Sequence, residues 1–238
     1  MANTKLDVRV YPLDNSESTT KAFASVTVDD KIAIRGIRVI QGEKDLFMTM
    51  PQSKDAKKDE YHDIAFPVSG DLRKEIINAV LKEYDRVSHL LPVQRGYEKP
   101  EADTANNINV ADIKLDIRVY PVKEPKGNIK AFASVTIDDT IAIRGVRIVD
   151  STEKGLFVTM PQSKDKEDKY HDIAFPINGD LRKKMTKAIL NKYSDTEKNN
   201  ERKTTLAEGL KDGAAKANEH NSTSRDTAAK STRLGVLD

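Results

Sequence analysis

Residues 50–67 read MPQSKDAKKDEYHDIAFP, and residues 160–176 read MPQSKDKEDKYHDIAFP. The two stretches differ almost only in their charged middle, where the second is one residue shorter. Working outward, Lys5 aligns with Lys114 and the match runs to Tyr84 and Tyr193, with roughly 46 identities over about 80 positions. The register slips by one residue in two places, before Leu46/Leu156 and before Tyr61/Tyr170, as loops allow. Two units are too few for a repeat solenoid, which needs three or more to bury a continuous core. Each copy is therefore a small domain, alone or paired with its twin.

Within a copy the apolar period is mostly two. LDVRVYPL (6–13) sets Leu6, Val8 and Val10 against Asp7, Arg9 and Tyr11, while KAFASVTV (21–28) sets Ala22, Ala24, Val26 and Val28 against Lys21, Phe23, Ser25 and Thr27. Such runs are half-buried antiparallel strands. Asp29-Asp30 and Asp138-Asp139 supply a tight turn into KIAIRGIRVI and its twin. Gly36 and Gly145 interrupt that third strand at matching positions, the signature of a bulge or a close backbone approach. LFMTMP and YHDIAFP complete five strands, and the charged segment between them reads as a hairpin loop. After Pro67 the period becomes helical: Ser69 is the N-cap, and Leu72, Ile76, Ala79, Val80, Tyr84 and Val87 form one stripe. Asn178 takes the cap in the second copy, ahead of Leu181, Met185, Ala188, Ile189 and Tyr193. The fold class is α+β, two tandem copies of an antiparallel five-stranded β-sheet (a meander), each closed by a C-terminal α-helix.

The boundaries that follow are 1–87 for the first domain, 88–113 for a linker, 114–194 for the second domain and 195–238 for a polar tail. The linker holds two prolines, a glycine and several asparagines, and its coil-like span of about 28 Å lets the copies dock side by side. The tail is too polar and small in its side chains to bury a core, so disorder is expected there, with at most a frayed helix over LAEGLKDGAAKA.

Composition narrows the function. The 238 residues are 37% hydrophobic and 33% charged with no Trp, so cores are modest and surfaces well solvated. The absence of Cys removes disulfides, thiolate nucleophiles and Cys-ligated zinc, and suits a reducing cytosol. MANTKLDVRVYP has no signal-peptide pattern, and no apolar run approaches the roughly 20 residues of a membrane span, so a cytoplasmic protein without membrane contact is expected. His62-Asp63 and His171-Asp172 are adjacent strand residues facing opposite sides, a poor base–orienter pair. No nucleophile motif, phosphate-binding glycine loop or metal-ligand spacing is present. Neither catalytic residues nor a cofactor or metal is expected, and the chain does not read as an enzyme.

Charge is the remaining signal. Residues 5–87 carry 14 Lys+Arg to 15 Asp+Glu, whereas residues 114–193 carry 16 to 11, so a polyanion prefers the second copy. Lys54, Lys57 and Lys58 lie on the first hairpin, and Lys164, Lys166 and Lys169 on the second. Arg73 and Lys74 open the first helix; Arg182, Lys183 and Lys184 open the second, with Lys187 beyond. Cations there oppose the helix macrodipole, which asks for another reason such as phosphate contact. The alternative is that interleaved Lys and Asp simply keep the loops soluble. Arg35 and Arg38, with Arg144 and Arg147, sit within an apolar strand, either at a pairing interface or on a wet face.

The ordered run R-G-I-R-V-I, L-F-M-T-M-P, Y-H-D-I-A-F-P-V and L-R resembles the stage V sporulation protein G, or septation regulator, family, over residues 5–87 and again over 114–193. Members of that family are usually single-copy. The resemblance implies a small β-sheet with a C-terminal helix that dimerises, and a sequence-tolerant DNA- and RNA-binding regulator of bacterial septation or sporulation. The tandem chain then reads as an intramolecular pseudo-dimer pairing its sheets through an edge strand, with room for further self-association. Family members usually carry S-K-R after M-P. Here the run is Q-S-K-D, with Lys54 and Lys164 in place of the arginine, Ser53 and Ser163 in place of the lysine, and Asp55 and Asp165 following. Each copy thereby loses a cation and gains an anion where phosphate would sit, which weakens binding and flattens its salt dependence. The competing reading is a protein-interaction module regulating septum formation with little nucleic-acid binding.

Overall fold

A computed structural model describes residues 4–13, 17–55, 58–89, 108–123, 127–153, 155–165, 167–202 and 205. Residues 1–193 form one compact unit and 194–238 a second. In the first copy the alternating runs become β1 (Leu6–Pro12), β2 (Thr20–Val28), β3 (Ile32–Gln41) and β4 (Leu46–Thr49), paired antiparallel in that order. Next come β5 (Gln52–Asp55), β6 (Glu60–Asp63), β7 (Ala65–Pro67) and helix α1 (Gly70–Ser88). The second copy repeats this as β8 (Leu115–Pro121), β9 (Ile129–Ile137), β10 (Ile141–Ser151), β11 (Gly155–Thr159), β12 (Gln162–Lys164), β13 (Tyr170–Asp172) and β14 (Ala174–Pro176). Helix α2 starts at residue 179.

Local chemistry sets the boundaries. Asp29 and Asp30 take φ of 51° and 53°, and Asp138 and Asp139 take 49° and 51°, the left-handed turn that Asp tolerates between twisted strands. Ser69 Oγ accepts the Leu72 amide at 3.1 Å, while Asn178 Oδ1 accepts those of Asp180 and Leu181 at 2.8 and 3.0 Å. Both caps therefore satisfy amides with no partner inside the helix. α1 lays Leu72, Ile76 and Val80 on its own copy's sheet, chiefly against β1 and β4. Leu181, Met185 and Ile189 are the buried counterparts on α2. Buried side chains of both copies merge into a single core.

The expected five-strand meander within each copy is corrected at its last strand. YHDIAFP does not run as one strand beside LFMTMP. Its first half closes an isolated ribbon, β5–β6, and β12–β13 does the same in the second copy. Pro51 and Pro161 offer no amide, so the β4 and β11 ladders stop before them. Their carbonyls instead take the amides of Ile64 and Ile173 at 2.8 Å each. The remaining three residues cross over. β7 pairs with β10 of the second copy (Ile141↔Pro67, Ala142↔Phe66, Ile143↔Ala65), and β14 pairs with β3 of the first (Ile32↔Pro176, Ala33↔Phe175, Ile34↔Ala174). Each five-stranded sheet thus takes its fifth strand from the other repeat, in the same register both ways. The pseudo-dimer is interlocked by reciprocal exchange rather than by two edges meeting.

The bulge makes room for this. Gly36 and Gly145 both sit at φ 74°, where a Cβ is strained. Residues before the bulge on β3 receive β14, and residues after it receive β4. At the bulge, the Arg35 and Arg144 amides donate to Ile173 and Ile64 carbonyls at 2.7 Å. Arg35 then covers the Phe175 ring at 4.9 Å, and Arg144 covers Phe66 at 4.6 Å. These two arginines belong to the strand-exchange joint, which decides one half of the question left open by the sequence.

Of the expected linker, residues 90–107 lie outside the described residues, and 110–112 form a 3-10 turn. In the second unit, 194–202 and 205 are described and helical, so helix occupies positions where a disordered tail was expected. Glu197, Lys198, Glu201 and Arg202 are good helix formers. LAEGLKDGAAKA lies outside the described residues. Among the described residues, no helix is long and apolar enough to cross a membrane.

Candidate nucleic-acid interface

Each ribbon is strapped to the first turn of its own helix. Asp63 accepts Gln52 Nε2 and Arg73 Nη2 at 3.1 Å each, and Asp172 accepts Gln162 Nε2 at 2.9 Å and Arg182 Nη2 at 3.3 Å. Side-chain bonds therefore tie the ribbon to the helix start in each copy. The same bonds show that Arg73 and Arg182 are struts as well as cations.

Three of the four described ribbon lysines have acidic neighbours. Lys54 pairs with Asp59 at 2.5 Å, Lys164 with Asp168 at 3.0 Å and Lys169 with Glu167 at 2.6 Å. Lys54 and Lys164 also lie over the rings of Tyr61 and Tyr170, at 5.8 and 5.3 Å. Those tyrosines are about 60% exposed. Lys57 and Lys166 lie outside the described residues, and Lys58 and Lys74 are exposed. Exposed pairs of this kind contribute only about 0–1 kcal/mol, so a phosphate can compete for the lysine. The histidines are occupied locally: His62 faces Glu60 at 3.7 Å, and His171 Nε2 meets Asp165 Oδ2 at 2.6 Å. The His171 bond, helped by the Lys169 and Glu167 amides, holds the Asp165 carboxyl below its usual range. Among the described residues, no group of three or more His, Asp or Glu could hold a metal ion.

The start of α2 divides its cations sharply. Lys183 is exposed beside Asp180 at 3.1 Å, and Lys187 is exposed one turn on. Lys184, the next residue, points the other way. Its Nζ donates to the carbonyls of Val110, Ala111 and Ile113 at 2.8, 2.9 and 2.6 Å, pinning the 3-10 turn that leads into β8. Lys184 was expected to meet phosphate, but this geometry commits it to capping carbonyls.

Sequence reasoning left Arg38 and Arg147 undecided, and they fall on the wet side of the sheets. Arg38 pairs across the strands with Phe23, which pairs with Tyr11; Arg147 pairs with Phe132, which pairs with Tyr120. The alternation of Tyr11 with Arg9 and of Phe23 with Lys21 placed these rings on the outer face, but their lateral alignment needed the strand register.

A family model, SpoVG, matches the chain twice, over residues 3–86 and 113–195. Similar proteins include one from Staphylococcus carnosus, 37% identical over 101 residues (42% of this chain, 91% of its own length). One from Caldanaerobacter subterraneus is 39% identical over 88 residues (37% and 94%). Another, from Finegoldia magna, is 47% identical over 79 residues (33% and 71%). All three carry both septation and SpoVG in their names.

Proposed function

Because the chain belongs to the SpoVG family, we propose that it is a nucleic-acid-binding regulator of septation or sporulation that carries two family units as one interlocked body. The observation that supports this is the start of α2. Residues 178–187 hold Arg182, Lys183, Lys184 and Lys187 against the single acid Asp180, and three of the four cations face solvent. The matching start of α1 balances Arg73 and Lys74 against Asp71 and Glu75. Copy two is thus the polyanion-contacting half, with Lys164 and Lys169 on its ribbon and Lys166 between them in sequence, and copy one completes its sheet. Lys54, Lys57, Lys58, Arg73 and Lys74 form the weaker counterpart. Contact is with phosphate, which positions a strand without reading its sequence.

The test is a titration of labelled DNA and RNA at two salt concentrations. Wild type should lose affinity steeply as salt rises. The Arg182→Glu, Lys183→Glu, Lys187→Glu variant should bind more weakly, with a slope of log K against log salt reduced by about 0.7–0.9 per lost contact. An unchanged slope in that variant moves the site elsewhere. A second reading, a module that docks a protein partner, is favoured by the ribbons. Residues 52–63 and 162–172 each hold three lysines against four acids, so they carry a net negative charge. No retardation of either polymer at low salt supports that reading.

A further inference from the structure

The outer face of the second copy's sheet carries a row that neither the core nor the strand exchange uses. Tyr120 on β8, Phe132 on β9, Arg147 on β10 and Thr159 on β11 are successive cross-strand partners. Tyr120 is 55% exposed and Phe132 42%. Arg147 is half-buried at the centre of the row, and no acid pairs with it among the described residues. The acid on β8, Asp116, is engaged by Arg118 at 3.7 Å, and Asp150 on β10 by Lys130 at 3.4 Å. A cross-strand aromatic pair stabilises a hairpin, but that purpose is met with the rings covered as well as bare. Two exposed rings followed by a central guanidinium on one sheet face have a different fit.

We infer that this face is a stacking platform for the unpaired bases of a single-stranded polynucleotide, with Tyr120 and Phe132 each taking a base and Arg147 the adjacent phosphate or a third base plane. The charge suits the occupant: the central guanidinium attracts the backbone while the rings offer π-faces that every base can use. Duplex does not fit, since its bases are stacked on one another and unavailable to the rings. The inference rests on the nucleic-acid reading above but concerns a separate surface. It adds what phosphate contacts at α2 do not provide, a preference for single strands. The first copy repeats the row as Tyr11, Phe23, Arg38 and Thr49, with both rings less exposed, so the second copy is the main platform.

The experiment uses the full chain and three probes of equal length: a single-stranded DNA, a single-stranded RNA and a duplex. Tyr120→Ala and Phe132→Ala should each weaken single-strand binding about 5- to 100-fold, with the salt slope and duplex binding unchanged; Phe132→Tyr should keep wild-type affinity. The DNA and RNA arms report which sugar the platform prefers. Far-ultraviolet circular dichroism and a thermal melt confirm that each variant is folded. Single-strand affinity unchanged in both alanine variants overturns the inference and leaves the α2 site standing. If Phe132→Ala instead converts an oligomer to a single chain by sedimentation, the occupant is a second copy and the inference is wrong. Wild type that binds no probe at low salt defeats both readings together.

Discussion

Lys183 and Lys184 are neighbours of identical chemistry with opposite employment. One helical step separates a solvent-facing ammonium from one that meets three carbonyls. A buried-side hydrogen bond from a charged donor contributes about 1.5–3 kcal/mol, and carbonyls left without a donor carry a desolvation cost. Lys184→Met should therefore destabilise the fold by about 2 kcal/mol in urea denaturation. Lys183→Met should stay within about 0.5 kcal/mol of wild type, as surface changes do. The residue types of this site were legible in the sequence, because cations against a helix dipole stand out. Their partners were not. The carbonyls that Lys184 serves lie 71 to 74 positions away, and no local pattern records such a contact. The ribbon lysines show the same limit in milder form, since interleaved acids suggested pairing without saying which acid each lysine meets.

At the scale of elements, alternation, the Asp-Asp turns and the Ser69 and Asn178 caps were readable because each is a local rule. The fate of AFP was not. Ala65–Pro67 and Ala174–Pro176 are identical in sequence, so pairing within a copy and pairing between copies satisfy the same pattern of faces. What separates them is geometry: the prolines that end β4 and β11, and the bulge that frees one half of the β3 and β10 edges. The exchange is not energetically even. Phe175 is 8% exposed beneath a buried Arg35, whereas Phe66 is half-buried and Arg144 exposed. Phe175→Ala should cost about 3–5 kcal/mol, and Phe66→Ala about 1–2 kcal/mol for the smaller apolar area it returns to the core. Thermal melts of the two variants compare the two joints directly.

For the whole molecule, the exchange turns an association into a folding event within one chain. The unfolding midpoint of the intact protein should not depend on its concentration. Introducing a protease site into residues 90–107 and cutting it should leave the halves together on sedimentation, but with a midpoint that now rises with concentration. Fragments that separate on cutting would show that the joint holds only through its tether. Selectivity is also built into the joint. Lys31 of copy one bridges to Asp138 of copy two at 2.8 Å, and Thr140 stands at the twin position. Two second copies joined to each other would bring paired aspartates together with no lysine, so that pairing is disfavoured. Heredity is constrained by the same knot. A gene shortened to a single repeat would encode a sheet with a bare edge at Ile32–Ile34 or Ile141–Ile143, open to any AFP segment nearby. Such a fragment, made beside the full-length chain, should invade it and act as a dominant inhibitor rather than as a half-active protein.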